Sequence, residues 1–378
     1  MVVPDQCNGR SHMSHYEERL EHDISLIGQK TAELGKKVER AIRDAIHALL
    51  TGNHPLSYET IIKDNVINRD NEEITKMCYA FIARYLPSAG HLRRVSSILH
   101  VCLFLERVGD QAVGISKVAV NLTTSLDETM TRHVMRLEEE SRHMLHQAIT
   151  SFNDDNIELA RSTKLLDSQV DHTFQNAFAD LANEKNKETW AIRDLLGLLS
   201  VFYSLERVSD LSKNICEKTM FSVSGETKKR KPVKILFVAD SNNYLCRLAE
   251  AIGKKSFSRC GAFASAGRVQ AMETDPGFSR FMQEYGIDFE SSNYTTIEML
   301  PRLDEFNVIV GLQGPVGSYI SAIPFNVVVL EWQVGPQMSD IAEADKQRQF
   351  KDSFRLLSEK IHDLMEIMRG REAVCEPS

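Results

Sequence analysis

The stretch LFLERVGD at Leu103–Asp110 returns 100 residues later as YSLERVSD at Tyr203–Asp210. Each copy continues an apolar run of helical period and contains a Glu and an Asp four residues apart. On a helix, residues at this spacing project from the same face, so the two carboxylates repel each other. A feature of this kind that occurs twice predicts a nearby cation, which an arginine, a basic partner surface or a metal ion would supply.

Composition limits the class of protein. The chain has 378 residues, 42% hydrophobic and 26% charged, which is enough for two or three domains with separate cores. A net charge of −8 argues against general nucleic-acid binding, because Lys and Arg are not in excess. We find neither an apolar run of about 18 residues that could span a membrane nor the apolar core of a signal peptide. We therefore expect a cytoplasmic protein. Its seven scattered cysteines favour reduced core thiols over disulfides.

The chain changes character near residue 225. Before it, from residue 16 to about 219, apolar residues recur at three- and four-residue spacing, which predicts an all-helical region. Ser222–Pro232 is polar, basic and interrupted by Gly and Pro, as linkers are. Beyond it, short β-branched runs such as KILFVAD and FNVIVGL alternate with segments of helical period. This second pattern predicts an α/β domain with a central, largely parallel sheet.

The helical region is internally repeated. Asp64-x-x-x-Asn68 resembles Asp167-x-x-x-Asp171, upstream of the duplicated Glu-x-x-x-Asp words. Each repeat is predicted to be a three-helix bundle with a long entry helix, a second helix carrying the Asp motif and a third carrying the Glu motif. The predicted order is a disordered lead at 1–15, helical repeats at 16–120 and 127–221, a linker at 222–232, an α/β domain at 233–371 and a tail at 372–378.

These features resemble the PhoU family, the helical regulators of phosphate uptake. The resemblance covers about residues 16–219 and rests on the tandem repeat, the ERVGD and ERVSD words, and LPSAGHLRRV at Leu86–Val95. It implies a metal-binding regulator of phosphate uptake or phosphate signalling. It also implies a homodimer that contacts the phosphate transporter's ATPase or a sensor histidine kinase. The metal-binding residues that the resemblance implies are Asp64, Asn68, Glu106, Asp110, Asp167, Asp171, Glu206 and Asp210.

One of the four motifs departs from the family pattern. Asn68 stands where a second acid is expected, and an amide offers a carbonyl oxygen without negative charge. The first bundle is therefore expected to hold metal more weakly than the second. Oxygen ligands favour Mg, Ca, Mn or Fe, and no His–Cys grouping argues for Zn, but the ion stays open among divalent and iron-type metals. The alternative is that these acids are ordinary solvent-exposed residues on helix surfaces and bind no metal.

The second half contains KILFVADSNNYLCRLAEAI at Lys234–Ile252, which predicts a buried strand, a polar loop and a helix whose first N–H groups can hold an oxyanion. With AFASAGR at Ala262–Arg268, it resembles the low-molecular-weight protein tyrosine phosphatases and related arsenate reductases over about residues 233–371. In that family the strand ends at a Cys, and an Arg follows it after five intervening residues. The thiolate attacks, the Arg and loop amides hold the oxyanion, and a later Asp before Pro is the general acid.

This chain departs from the phosphatase pattern at each reactive position. Alignment on AEA at Ala249–Ala251 places Ala239 at the nucleophile and Leu245 at the anion-binding Arg, and Gly335-Pro336 replaces the late Asp-Pro. The sequence therefore predicts a pseudophosphatase. Backbone amides of its loop could still bind an anion, although Asp240 would repel one. The polar candidates for that site are Ser241, Asn242, Arg247 and Arg268.

Three functions stay open from the sequence. The favoured one is a non-enzymatic regulator in which a bound ion or anion changes the affinity for a protein partner. The second is an active arsenate reductase or phosphotyrosine phosphatase with a relocated nucleophile, for which Cys246 is the candidate. Against it, Cys246 would follow the clamp position at the start of a helix, far from the strand end. The third is a structural adaptor that binds no ligand.

Overall fold

The structure is a computed structural model, and it describes residues 15–182, 190–226, 232–241, 244–269, 275–286, 295–300, 302–324, 327–335 and 345–369. The chain divides into two compact units, with the division inside the segment 227–231. Within the described ranges, no helix combines the length and the apolar character that crossing a membrane would need.

The first unit is all-helical, as predicted. Its first repeat comprises α1 (His15–Thr51), α2 (His54–Tyr85) and α3 (Ala89–Asn121). Its second repeat comprises α4 (Glu128–Asn153), α5 (Ile157–Leu165), α6 (Asp167–Leu181) and α7 (Ile192–Ser224). Side-chain caps fix several helix starts: Asn53 accepts from the backbone N–H of Leu56 at 3.1 Å, and Asp127 from that of Met130 at 2.8 Å.

The helix predicted to carry the Asp motif is one element, α2, in the first repeat and two elements, α5 and α6, in the second. There the helix is interrupted at Leu166, whose N–H donates to the carbonyl of Thr163 at 3.0 Å, three residues back. This tighter spacing is that of a 3-10 turn and ends the regular α-helical ladder. The hydroxyl of Ser168 donates to the carbonyl of Leu165 at 3.1 Å, which satisfies one acceptor at the break. Asp167 is thereby placed at the start of α6.

The two repeats share one core. Helices α3 and α7, which carry the duplicated words, pack against each other, while α3 also contacts α1 and α2, and α7 also contacts α4, α5 and α6. Within the words, Leu105 and Val108 of α3 and Leu205 and Val208 of α7 are buried. In each word the Glu follows the buried Leu by one residue, and the Asp follows the buried Val by two. Both acids therefore lie at the edge of the buried helix surface, next to the neighbouring helix of their own repeat.

The second unit is α/β with a parallel sheet, as predicted. Its elements are β1 (Val233–Ser241), α8 (Leu245–Phe257), β2 (Gly261–Val269), α9 (Pro276–Glu284), β3 (Val308–Gly311), β4 (Val328–Glu331) and α10 (Lys346–Arg369). The four strands lie in the order β2-β1-β3-β4, and each neighbouring pair is parallel. Alternate residues of β1 enter separate cores, Phe237 on one face of the sheet and Leu236 on the other. The carboxyl end of this central strand carries Ala239 and Asp240.

The segment interpreted as a linker is helical at its start. Helix α7 extends to Ser224 and ends at Gly225, whose φ of 74° is the left-handed conformation common after a helix. Residues 227–231 lie outside the described residues, as do the tail at 372–378 and the lead apart from His15.

Candidate metal centre

The first acidic face consists of Asp64 and Asn68 on α2 with Glu106 and Asp110 on α3. The Asn68 amide donates to Oδ2 of Asp64 at 2.9 Å. A Cβ built on Gly109 would lie 3.3 Å from Oδ1 of Asp64, so a residue without a side chain lets α3 approach this carboxylate. Burial, followed by the charge of Asp110, raises the pKa of Asp64. The structure therefore brings both predicted motifs of the first repeat together.

Two oxygens of the first face lack hydrogen-bond partners. Oδ1 of Asp64 and Oδ1 of Asn68 are both buried, and neither accepts a hydrogen bond from any described residue. A buried acceptor without a donor is costly, since it has lost water and gained nothing in exchange. A hard cation coordinated through these oxygens would remove that cost.

The second acidic face consists of Asp167 and Asp171 on α6 with Glu206 and Asp210 on α7. Burial, followed by the charges of Asp210 and Asp171, raises the pKa of Glu206 to about 7. Burial and the charge of Asp167 likewise raise the pKa of Asp171. These mutual effects mean that all four carboxyl groups lie close enough to repel one another, as their duplicated spacing predicts.

Sequence reasoning missed two residues of the second face. The Lys213 ammonium forms an ion pair with Oδ2 of Asp167, and the hydroxyl of Ser209 donates to Oδ1 of the same carboxylate at 3.4 Å. The signal for Lys213 was present in the sequence, because it follows Glu206 by seven residues and therefore lies on the same face two helical turns later. Arg207 contacts Oδ2 of Asp210 at 3.5 Å in an exposed pair.

The donor chemistry of both faces fits a hard metal ion. Every candidate ligand is a carboxylate or amide oxygen, the type that Mg, Mn, Ca and Fe accept, and the first face adds two unpartnered oxygens. Across the described ranges, no three His, Cys, Asp or Glu side chains already converge as a metal-ligand group would. Binding would thus require Asp and Glu side chains to rotate toward a shared ion.

The phosphatase-like loop offers no reactive group at the two positions that alignment identifies. Ala239 is 1% exposed and Leu245 is 3% exposed, so both belong to the core. Tyr244, between them in sequence, packs its ring 5.2 Å from those of Phe278 and Phe350. Cys246 is fully buried, and burial raises the pKa of its thiol far above neutrality.

Of the four anion-binding candidates, the structure describes the side chains of Arg247 and Arg268. Nη2 of Arg268 lies 2.7 Å from Oδ1 of Asp240, so the cation and the anion of the loop offset each other. Arg247 is buried in the first turn of α8, and Ser241 ends β1. Asn242 lies outside the described residues. Anion binding by this loop stays a prediction.

Both helical repeats resemble known proteins. The PhoU domain family matches residues 31–119 and 134–219. The phosphate-specific transport system accessory protein PhoU homolog of Pseudomonas putida is 26% identical over 219 residues, which are 58% of this chain and 86% of that protein. The crystal structure of the phosphate transport system regulatory protein PhoU from Streptococcus pneumoniae aligns with a TM-score of 0.52 and 26% identity, and covers 56% of this chain and 99% of that one.

The second unit also has structural neighbours. A crystal structure of arsenate reductase from Archaeoglobus fulgidus aligns with 22% identity and a TM-score of 0.28, and covers 34% of this chain and 98% of that one.

Proposed function

We propose that the chain is a metal-dependent regulator of phosphate uptake, because the PhoU domain family matches both of its helical repeats. The names of its relatives, an accessory protein and a regulatory protein of phosphate transport, support this role. We propose a component of the phosphate transport system, such as its ATPase, or a sensor histidine kinase as the partner. A homodimer and a cytoplasmic location remain predictions from the sequence.

The observation that carries the metal proposal is the pairing of acidic motifs across helices in both repeats. Glu106 and Asp110 face Asp64 in the first repeat, and Glu206 and Asp210 face Asp171 in the second, with raised pKa values for Asp64, Glu106, Asp171 and Glu206. Clustering like charges at partly buried positions destabilises a fold unless a ligand offsets it. A divalent ion held by these oxygens would supply that positive charge and link the two helices of each face.

Metal content tests the proposal directly. We expect the purified full chain, dialysed against Mn²⁺, to retain ions at both faces, and the double variant Glu206→Gln/Asp210→Asn to retain about half as many. A control variant, Glu18→Gln/Glu139→Gln, removes two acids from exposed helix positions and is expected to match the parent. Equal metal content in all three proteins would exclude the second face as a metal site. A calorimetric titration with no heat beyond dilution would favour an adaptor instead.

We further propose that the second unit is not an active phosphatase or arsenate reductase. A methyl group and an isobutyl group, both buried, occupy the positions of the nucleophile and the anion clamp. The thiol of Cys246 is enclosed in the core, so it is neither ionised at neutral pH nor accessible to a substrate. The unit then acts as a ligand- or partner-binding module.

We expect the purified chain to hydrolyse p-nitrophenyl phosphate no faster than buffer and to reduce no arsenate in the presence of a thiol reductant. The reason is that nucleophile, clamp and acid are all missing. The measurement includes Cys246→Ser and, as a matched control from the same unit, Cys260→Ser. Turnover in the parent that Cys246→Ser abolishes and Cys260→Ser preserves would contradict the proposal and establish a relocated nucleophile.

A further inference from the structure

Besides Asn68 and Asp171, the two acidic faces differ at two equivalent positions of the third helices, α3 and α7. Gly109 and Val113 of α3 correspond to Ser209 and Lys213 of α7, at the same separation of 100 residues that relates the Glu-x-x-x-Asp words. The contacts agree with this correspondence. Position 109 lies against the carboxylate of Asp64, and position 209 donates a hydrogen bond to the carboxylate of Asp167. Only in the second face does the next turn of the helix bring an ammonium to that carboxylate.

The two acidic faces have the same net charge but different charged groups. The first face has three carboxylates, because Asn68 is neutral. The second has four carboxylates and one ammonium, because Asp171 stands in place of Asn68 and Lys213 in place of Val113. Both therefore carry three net negative charges from these groups. Lys117 acts on Asp64 by its charge from a position one turn beyond Val113, but its side chain is exposed.

From this difference we infer that Lys213 is a tethered cation that competes with a divalent metal ion for Asp167. The inference rests on the proposed metal-binding function. Oδ2 of Asp167 accepts from Lys213, whereas Oδ1 of Asp64 accepts no hydrogen bond from the described residues. The Ser209 hydroxyl also lies 3.4 Å from Oδ1 of Asp167, although its shorter hydrogen bond, at 2.9 Å, is to the carbonyl of Glu206. An entering ion must displace the ammonium at the second face, while at the first face it meets an unpartnered oxygen.

The ion pair is well placed to compete. The Asp167 side chain is 10% exposed and that of Lys213 is 29% exposed, so water screens their attraction less than it would at an open surface. A lysine ammonium is a compact charge on a flexible stem, which lets it leave the carboxylate for solvent when an ion replaces it. The inference therefore reverses the order expected from the sequence: the first face fills at lower metal concentration than the second, although it has one acid fewer.

The experiment isolates the second face by disabling the first. In the full chain carrying Glu106→Gln/Asp110→Asn, Mn²⁺ binding is titrated by the electron paramagnetic resonance signal of the free ion. Lys213→Met then removes the charge and keeps an unbranched side chain, whereas Lys213→Arg keeps the charge. We expect Lys213→Met to lower the Kd for Mn²⁺ about tenfold and Lys213→Arg to change it less than about twofold.

A reciprocal variant keeps the test valid if Lys213→Met fails to fold. In the chain carrying Glu206→Gln/Asp210→Asn, where the first face is intact, Val113→Lys introduces the ammonium beside Asp64. It is expected to raise the Kd for Mn²⁺ about tenfold.

Each outcome separates the inference from the proposed function. Mn²⁺ binding that Lys213→Met leaves unchanged or weakens would overturn the inference and leave the metal-binding function standing. An absence of Mn²⁺ binding in the parent and in every variant would overturn both. Mn²⁺ binding that appears or tightens with Lys213→Met but not with Lys213→Arg would support the inference that Lys213 competes with the metal ion.

Discussion

The metal-free protein is expected to lose about 2 kcal/mol of unfolding free energy as the pH rises from 5 to 8. The reason is Glu206, whose pKa in the folded chain is about 7 against an ordinary value of 4.5. Below pH 4.5 the carboxyl group is protonated in both folded and unfolded states. Between the two pKa values only the folded state binds the proton, so folding is favoured there and this contribution is lost as the pH rises toward 7. Urea denaturation followed by circular dichroism in EDTA measures it.

Glu206→Gln removes this titration and keeps the side-chain shape. We expect the unfolding free energy of the variant to depend less on pH than that of the parent, while Glu139→Gln, at an exposed position of α4, follows the parent. Because each variant differs from the parent at one position, the contributions of all other groups cancel in the comparison. Saturating Mn²⁺ should also flatten the parent's profile, because a bound cation favours the ionised carboxylate. Identical pH profiles for the parent and Glu206→Gln would show that Glu206 has an ordinary pKa.

Replacing Asp194 by Ala is expected to lower the unfolding free energy by about 3 kcal/mol. Asp194 is buried at the start of α7 and accepts three hydrogen bonds from the loop between α3 and α4. The hydroxyl of Thr123 donates to it at 2.6 Å, and the backbone N–H groups of Thr123 and Thr124 donate at 3.2 and 3.0 Å. The variant leaves these donors without the charged acceptor that joins the two repeats.

Chemical denaturation of the full chain measures the effect of Asp194→Ala. Thr123→Val removes only the hydroxyl donor and is expected to cost about 1 kcal/mol. Glu139→Ala is expected to change stability by less than about 0.5 kcal/mol, since its side chain is exposed. A loss below about 1 kcal/mol for Asp194→Ala would mean that water replaces the carboxylate and that the loop is held by other contacts.

Periodicity was sufficient to predict the two architectures. The three- and four-residue spacing of apolar side chains predicted the helical unit, and the β-branched runs predicted the parallel strands β1, β3 and β4. The interruption at Leu166 was not predictable in this way, because Leu165 and Leu166 continue a helical pattern and the break depends on hydrogen bonds of Thr163 and Ser168. These hydrogen bonds are local side-chain and backbone contacts, which the spacing of apolar residues does not report.

The acidic residues were predictable as pairs, because four-residue spacing on a helix fixes a common face. The repeat also predicted that the Asp and Glu motifs meet across helices. In each repeat the Asp motif is on the second predicted helix and the Glu motif is on the third. Lys213 was missed because only acids were considered at that face, although its seven-residue distance from Glu206 was visible. Asp194 carried no sequence signal, since its partners Thr123 and Thr124 lie in a loop about 70 residues away.

Anomalous scattering from crystals of the full chain grown with Mn²⁺ is the most direct test of metal binding by the two helical repeats. We predict anomalous peaks at both faces, one beside Glu106 and Asp110 and one beside Glu206 and Asp210. Crystals saturated with Mn²⁺ that show no peak at either face would contradict metal binding there.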